Sequence, residues 1–90
     1  MLTPIYSTRF LKDLKRCKKR GLDLRKLESI VIDLQNEVQL DSKFRVHPLH
    51  GEYLGHMECH IEPDWLLIYL TDKGQKEIYF IRTGTHSDLF

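Results

Sequence analysis

Four of the five histidines in this 90-residue chain fall within one short stretch, at His47, His50, His56 and His60. The fifth, His86, lies close to Phe90 and follows Arg82-Thr83-Gly84-Thr85. Imidazoles exchange protons near neutral pH, so a cluster of them is a source of acids and bases under working conditions. With the carboxylate of Asp64 and the guanidinium of Arg82, they make a set suited to acid–base chemistry on a phosphodiester. A single histidine is more often a hydrogen-bonded structural residue, and His50 and His56 have no further support for a chemical role.

Other chemistries fit less well. His56, Cys59 and His60 are close in sequence, but paired structural-zinc spacing is absent, and on a strand Cys59 points away from the two histidines. A Cys-His nucleophile is disfavoured because Cys59 falls on the apolar side with nothing to activate it. No metal or cofactor is therefore expected. Trp65, Tyr69, Tyr79 and Phe80 read as core aromatics, whereas Phe90 can stack on a base as readily as it can pack.

The elements that must position this set follow from periodicity. Ile5-Tyr6 reads as a short strand, and Ser7 or Thr8 caps a helix with Phe10, Leu11, Leu14 and Cys17 at helical spacing. Gly21 stops it, Asp23 caps a second helix, and Leu27, Ile30, Val31, Leu34 and Val38 line one face. The short connection makes an antiparallel helical hairpin. The second half changes period. Tyr53 to Ile61 alternates, with Tyr53, Met57, Cys59 and Ile61 on one side and His56, Glu58 and His60 on the other. Glu62-Pro63-Asp64 is a turn, Trp65 to Leu70 a covered central strand, Asp72-Lys73-Gly74 a hairpin turn and Glu77 to Arg82 the last strand. His47 precedes a proline and is expected in an extended loop entering the sheet. The fold class is α+β, ordered β-αα-βββ, with the hairpin packed on a twisted antiparallel sheet. His60, Asp64, Arg82 and His86 can then meet at one rim. Simple alternation, however, groups Arg82 with Ile78 and Phe80 on the core side, so the strand must end or twist before Arg82.

Ninety residues allow one domain, residues 1–90, with one modest core. No apolar run reaches membrane-spanning length and no charged-then-apolar leader is present, so a cytoplasmic protein with reduced Cys17 and Cys59 is expected. The net charge of +1 conceals an asymmetry. Residues 1–45 hold eleven Lys/Arg against six Asp/Glu, and residues 46–90 hold three against seven. Arg9, Lys12, Lys15, Arg16, Lys18, Lys19 and Arg20 stand opposed by Asp13 alone. Such a segment attracts phosphate backbones or an acidic partner, unless it is merely a solvated helix face.

His47-Pro48-Leu49-x-Gly51, His60-x-Glu62-Pro63-Asp64-Trp65, Leu67-Ile68-Tyr69 and Arg82-Thr83-Gly84-Thr85-His86 with Leu89-Phe90, in this order and spacing, resemble the RelE/ParE superfamily of bacterial toxins. The likeness is greatest to its YafQ-type branch of ribosome-dependent messenger-RNA endonucleases, and it covers nearly the whole chain. It implies a helical hairpin on a twisted sheet, cleavage in the ribosomal A site, and inhibition by a cognate antitoxin, the toxin being a monomer when free and a hetero-oligomer with its antitoxin. It also implies RNA-cleavage roles for His47, His60, Asp64, Arg82, His86 and Phe90. His50 departs from the pattern, adding an imidazole near the site.

The chemistry agrees with that set. An RNA 2′-hydroxyl attacks its own phosphodiester when a base takes its proton and an acid protonates the departing 5′ oxygen. His60 or Asp64 is expected as base, His86 as acid and Arg82 as the clamp on developing charge, with His47 orienting the phosphate or substituting as base. Phe90, Lys12, Lys15, Arg16 and Lys19 are the expected RNA contacts. Too few carboxylates cluster for Mg²⁺, so the route is expected to be metal-independent. Two alternatives remain: a ParE-like gyrase poison, which has no need of the histidine set, and a non-catalytic nucleic-acid-binding module.

Overall fold

The computed structural model describes residues 1–90. Strand β1 (Thr3–Tyr6) leads into α1 (Thr8–Lys19), which Ser7 caps by accepting from the Phe10 amide. Asp23 caps α2 (Leu24–Gln35) through the Arg25 amide. The chain then forms β2 (His47–Pro48), β3 (Met57–Glu62), β4 (Trp65–Asp72), β5 (Glu77–Gly84) and a last turn of helix, α3 (His86–Leu89). One five-stranded sheet results, in the order β1-β5-β4-β3-β2.

The α+β class and the helical hairpin on a sheet are as the sequence implies, with two refinements. The sheet is mixed, because β1 pairs parallel to β5 while all other pairs are antiparallel. This follows from connectivity: the helical hairpin carries the chain from one sheet edge to the other, and the β3-β4-β5 meander returns it beside β1 in the same direction. Secondly, His47-Pro48 is a short edge strand on β3 rather than a loop, and Pro48 is tolerated there because an edge residue can forgo a ladder donor. Tyr53 lies in a turn of 3-10 helix at Gly51–Tyr53, ahead of β3.

The two faces of the sheet differ. Phe10, Cys17, Leu27, Ile30 and Val31 of the helices bury against Cys59, Ile61, Trp65, Leu67, Tyr69, Ile78 and Phe80. Full burial of one such large side chain is worth about 1.5–3 kcal/mol, so this face holds the fold together. The Trp65 indole donates to Thr83 Oγ1 (3.0 Å), and that hydroxyl donates to the Leu66 carbonyl (2.7 Å), so the buried polar atoms are satisfied. The opposite face carries only Leu66, Ile68 and Leu89, flanked by Leu49, Tyr53 and Ile81. Glu58 and His60 pair with Ile68 and Leu66 across β3-β4 and share this second face.

A β-bulge decides which face Arg82 takes. Ile68 pairs with Arg82 but Tyr69 pairs with Phe80, so Ile81 is the extra residue on β5. The bulge resets the alternation, turning Thr83 to the core and Arg82 to the face shared with Ile68.

Candidate functional site

The register of the short edge pairing builds the first part of the site. His47 lies directly opposite Glu58 on β2-β3, and His60, two residues along β3, projects to the same side. Both rings turn Nε2 toward the Glu58 carboxylate, His47 at 3.1 Å and His60 at 3.6 Å. Their Nδ1 atoms lie against the carbonyls of Pro48 (3.2 Å) and Pro63 (3.3 Å). The Glu58 side chain is only 5% exposed, and its second oxygen is buried without a hydrogen-bond partner. A buried carboxylate left half-satisfied is costly, and two imidazoles are the groups that offset it here.

The second part stands at the rim. His86 begins α3, and its ring Nδ1 and backbone N–H both donate to one oxygen of Asp64, at 2.7 and 3.0 Å. These two contacts, the backbone one foremost, hold the Asp64 carboxyl below its usual range. The His86 ring centroid is 5.9 Å from that of His60, which is itself 5.9 Å from that of His47. Three imidazoles thus form a row whose middle ring, His60, is nearly covered, while His47 and His86 at its two ends are open to solvent.

Local sequence fixes α3. The Thr85 side chain accepts from the Asp88 amide, and Asp88 accepts from the Thr85 amide, a reciprocal capping box. Gly84 has a positive φ of 155°, and a Cβ there would lie 2.7 Å from the Asp88 carboxylate, so only glycine fits. Asp88 is anchored in turn by a two-pronged contact with Arg20 of α1, which holds its carboxyl well below the ordinary carboxylate range. The helix that carries His86 is thereby tied to the basic helix.

Arg82 behaves differently from expectation in one respect. It is 6% exposed, and its guanidinium grips Asp13 through Nε (2.7 Å) and Nη2 (3.2 Å). Asp13 also accepts from the Thr83 amide on the stretch of β5 beyond β1. Asp13, the one acid of the basic segment, is thus buried and spends its charge chiefly on Arg82, with Arg16 the one surface cation in reach of it. Arg82 is raised above its ordinary range by Asp13 first, with a smaller contribution from Tyr53.

Of the expected RNA contacts, Lys12, Lys15 and Lys19 are exposed on α1. Arg16 leans toward Asp13 (3.3 Å) and Asp88 (3.8 Å). Phe90 is 65% exposed and meets Tyr53 edge-on. His50 precedes a turn of 3-10 helix without capping it, and His56 packs against Tyr53. Cys59 is fully buried on the core face, and burial pushes its thiol up to about 12. Beside His60 a groove of about 840 Å³ opens between α2 and the end of β3, its wall including Lys26, Arg45 and Glu62.

Glu58 is the residue that sequence reasoning passed over. The alternation puts it on the polar side with His60, and that i, i+2 relation was the available signal. Its burial and its place opposite His47 come only from the pairing of β2. The capping box Thr85-His86-Ser87-Asp88 was likewise a readable sign of α3.

Comparison with known proteins agrees with this geometry. The family described as "Bacterial toxin of type II toxin-antitoxin system, YafQ" matches residues 2–90. The chain is 42% identical to the mRNA interferase toxin YafQ of Escherichia coli strain K12 over 87 residues, 94% of this chain and 91% of that protein. A metal-bound toxin from Helicobacter pylori superposes with a TM-score of 0.94 at 42% identity, each chain covered in full. The toxin in a DinJ-YafQ complex from Escherichia coli superposes with a TM-score of 0.89 at 38% identity, covering 100% of this chain and 99% of that one.

Proposed function

Because the chain belongs to the YafQ family of bacterial type II toxin–antitoxin toxins, we propose that residues 1–90 act as one toxin domain that cleaves messenger RNA on the ribosome by metal-independent acid–base catalysis. The observation that carries the reading is the row of three imidazoles on the open sheet face, ending on Glu58 at one side and Asp64 at the other. Two ends with different surroundings suit a reaction that removes one proton and delivers another.

His86 serves as the acid. Asp64 holds its Nδ1–H and orients the ring, leaving Nε2 outward to donate. That contact suits Asp64 to orienting His86 more than to acting as base. His60 serves as the base, with Glu58 stabilising the proton it takes, and His47 completes the pair and orients the phosphate. In the reaction the 2′-hydroxyl loses its proton to His60 as its oxygen bonds to phosphorus. The bond to the 5′ oxygen breaks, and that oxygen takes its proton from His86. Products carry a 2′,3′-cyclic phosphate and a 5′-hydroxyl. Arg82 contributes positive charge beneath the site while Asp13 fixes its guanidinium. Phe90 is placed to stack on a base, a contact worth about 1–3 kcal/mol per base in single-stranded recognition.

Lys12, Lys15 and Lys19, with Arg16 beside them, offer phosphates a cationic helix face. This surface takes the ribosome and message when the toxin is free, and an acidic cognate antitoxin when it is neutralised, as the DinJ-YafQ complex suggests by kinship. No helix is long and apolar enough to cross a membrane, in keeping with action on cytoplasmic ribosomes. Metal bound by a relative does not make metal a reagent: the two-imidazole, one-carboxylate group lacks the oxygen ligands Mg²⁺ requires.

The test is cleavage of a translated message by purified chain and ribosomes, with ends mapped by primer extension. Cutting should require the ribosome, stop when the cut nucleotide is 2′-deoxy, and persist when EDTA exceeds transition metals but not the Mg²⁺ that holds ribosomes together. Cutting of a 2′-deoxy site at the normal rate would refute the reading.

A further inference from the structure

β2 pairs with β3 only at His47 opposite Glu58 and Pro48 opposite Met57. Carried two residues further, that register would set Arg45 opposite His60. Arg45 instead takes a left-handed backbone (φ 49°, ψ 52°) at the end of the 3-10 turn Ser42–Phe44, and the chain leaves the sheet there. Such a backbone is rare for a residue with a side chain, and residues held in it concentrate at functional sites. The edge of β3 from Cys59 to Glu62 is thereby left without a strand partner, and the groove of about 840 Å³ opens along it against α2. That volume lies in the range of about 300–1,000 Å³ usual for small-ligand sites.

The groove is layered by burial. Ile30 and Ile61 are buried and Phe44, Asp33, His60 and Glu62 half-buried, whereas Arg25, Lys26, Lys43 and Arg45 are exposed at the rim. Asp23 engages Arg25, and one oxygen of Glu62 engages Lys26. Lys43 and Arg45 meet no carboxylate, and Lys43 lies 5.1 Å above the Phe44 ring. Free cations above an aromatic and apolar floor suit a nucleotide, its phosphate at the rim and its base inside. An acidic peptide fits less well, because its carboxylates would meet Asp33 and Glu62, whereas a base can donate to them. His60 is the one member of the imidazole row that also lines the groove.

We propose that the groove binds the nucleotide on the 5′ side of the cut, the one whose 2′-hydroxyl attacks, and selects its base. Arg45 and Lys43 hold its 5′ phosphate, Phe44 takes a face of the base, and Asp33 accepts from an exocyclic amino group. Amino-bearing bases such as cytosine are therefore preferred to uracil, which offers a keto oxygen in place of that donor. The 5′ placement follows because His60 must reach the 2′-hydroxyl as its base, while His86 meets the departing 5′ oxygen of the next nucleotide. That placement rests on the catalytic reading above; nucleotide binding in the groove does not.

The probes are uncleavable tetranucleotides of deoxycytidine and of deoxyuridine, which differ only in a 4-amino against a 4-keto group. Titrated into isotope-labelled full-length chain and followed by NMR, the deoxycytidine probe should move the amides of Ser29, Asp33, Arg45 and Ile61. It should bind about fivefold or more tighter than the deoxyuridine probe. Arg45→Gln should lower the slope of log affinity against log salt by about 0.7, the value of one phosphate contact in a single strand, and Arg45→Lys should restore it. Asp33→Asn should erase the preference for cytosine, with a thermal melt matching wild type. Shifts confined to α1, or an unchanged salt slope in Arg45→Gln, overturn the site, and equal affinity of the wild type for both probes overturns the selection.

In the ribosomal assay, cuts should fall after cytidine more often than after uridine at matched positions, and Asp33→Asn should level the two. A level wild-type profile beside normal cutting overturns the selection and leaves the proposed function intact. Binding in the groove by a chain that never cuts a translated message refutes the proposed function and leaves the groove standing. Loss of antitoxin binding alone in Arg45→Gln, with nucleotide binding unchanged, makes the groove a protein interface and overturns the nucleotide site.

Discussion

The two carboxylate–imidazole units on the open face use the same chemical parts in opposite surroundings. Glu58 is buried, shared by two histidines and short of one partner, whereas Asp64 is 65% exposed and holds one histidine that is itself 56% exposed. The difference lies in what positions each unit. The buried one is fixed by strand register, the exposed one by a four-residue helix held through Gly84, Thr85 and Asp88. A covered carboxylate is suited to stabilising a proton gained by its imidazole. An exposed carboxylate at the rim leaves its imidazole free to meet a substrate and release a proton. Division of labour between neighbouring acid–base groups arises from such contrasts of environment.

The largest expected effect comes from removing the exposed unit's imidazole. His86→Ala should lower single-turnover cleavage by about 10²–10⁴-fold, with ribosome affinity and thermal stability nearly unchanged, since a positioned acid contributes on that scale. Arg82→Ala should act through the fold instead. It removes the two-pronged partner of buried Asp13, leaving only half-exposed Arg16 and the Thr83 amide against that charge, and breaking a buried pair costs up to about 3–5 kcal/mol, so activity and melting temperature should fall together in parallel assays.

Glu58→Gln sharpens the comparison at the buried unit. Cleavage should drop by about tenfold or more, yet urea unfolding should show stability equal to or above wild type, because the half-satisfied charge is gone. The smallest effect concerns the anchorage of the rim. Arg20, more than any other group, depresses Asp88, so the folded state takes up its proton only at lower pH than the unfolded chain does. That stability is present above the ordinary carboxyl value of 3.8 and is lost as pH falls below it. Asp88→Asn should therefore flatten the acid side of the stability–pH curve between about pH 4 and 2.

The elements with strong periodicity were legible from residues alone. Phe10 and Cys17 in α1, Leu27, Ile30 and Val31 in α2, and the continuous run of β4 all bury where their spacing implies. What stayed hidden depends on pairing between distant segments. β2 is two residues long and contains a proline, so nothing local marks it, and with it went the burial of Glu58. Strict alternation assigns Arg82 to the core side, and only the bulge at Ile81 reverses that. Asp13 looks like one more charge on a basic helix until β5 supplies Arg82 and the Thr83 amide to it. The histidines could be chosen as candidates from their types, but their order along the face could not.

The central claim, that His86 protonates the departing 5′ oxygen, is tested most directly by changing the leaving group. A translated message with sulfur in place of the 5′ oxygen at the cut site leaves without needing an acid. Single-turnover cleavage of this substrate by His86→Ala should match wild type to within a few-fold, while the all-oxygen message shows the full 10²–10⁴-fold deficit. An equally large deficit on both substrates would contradict the account.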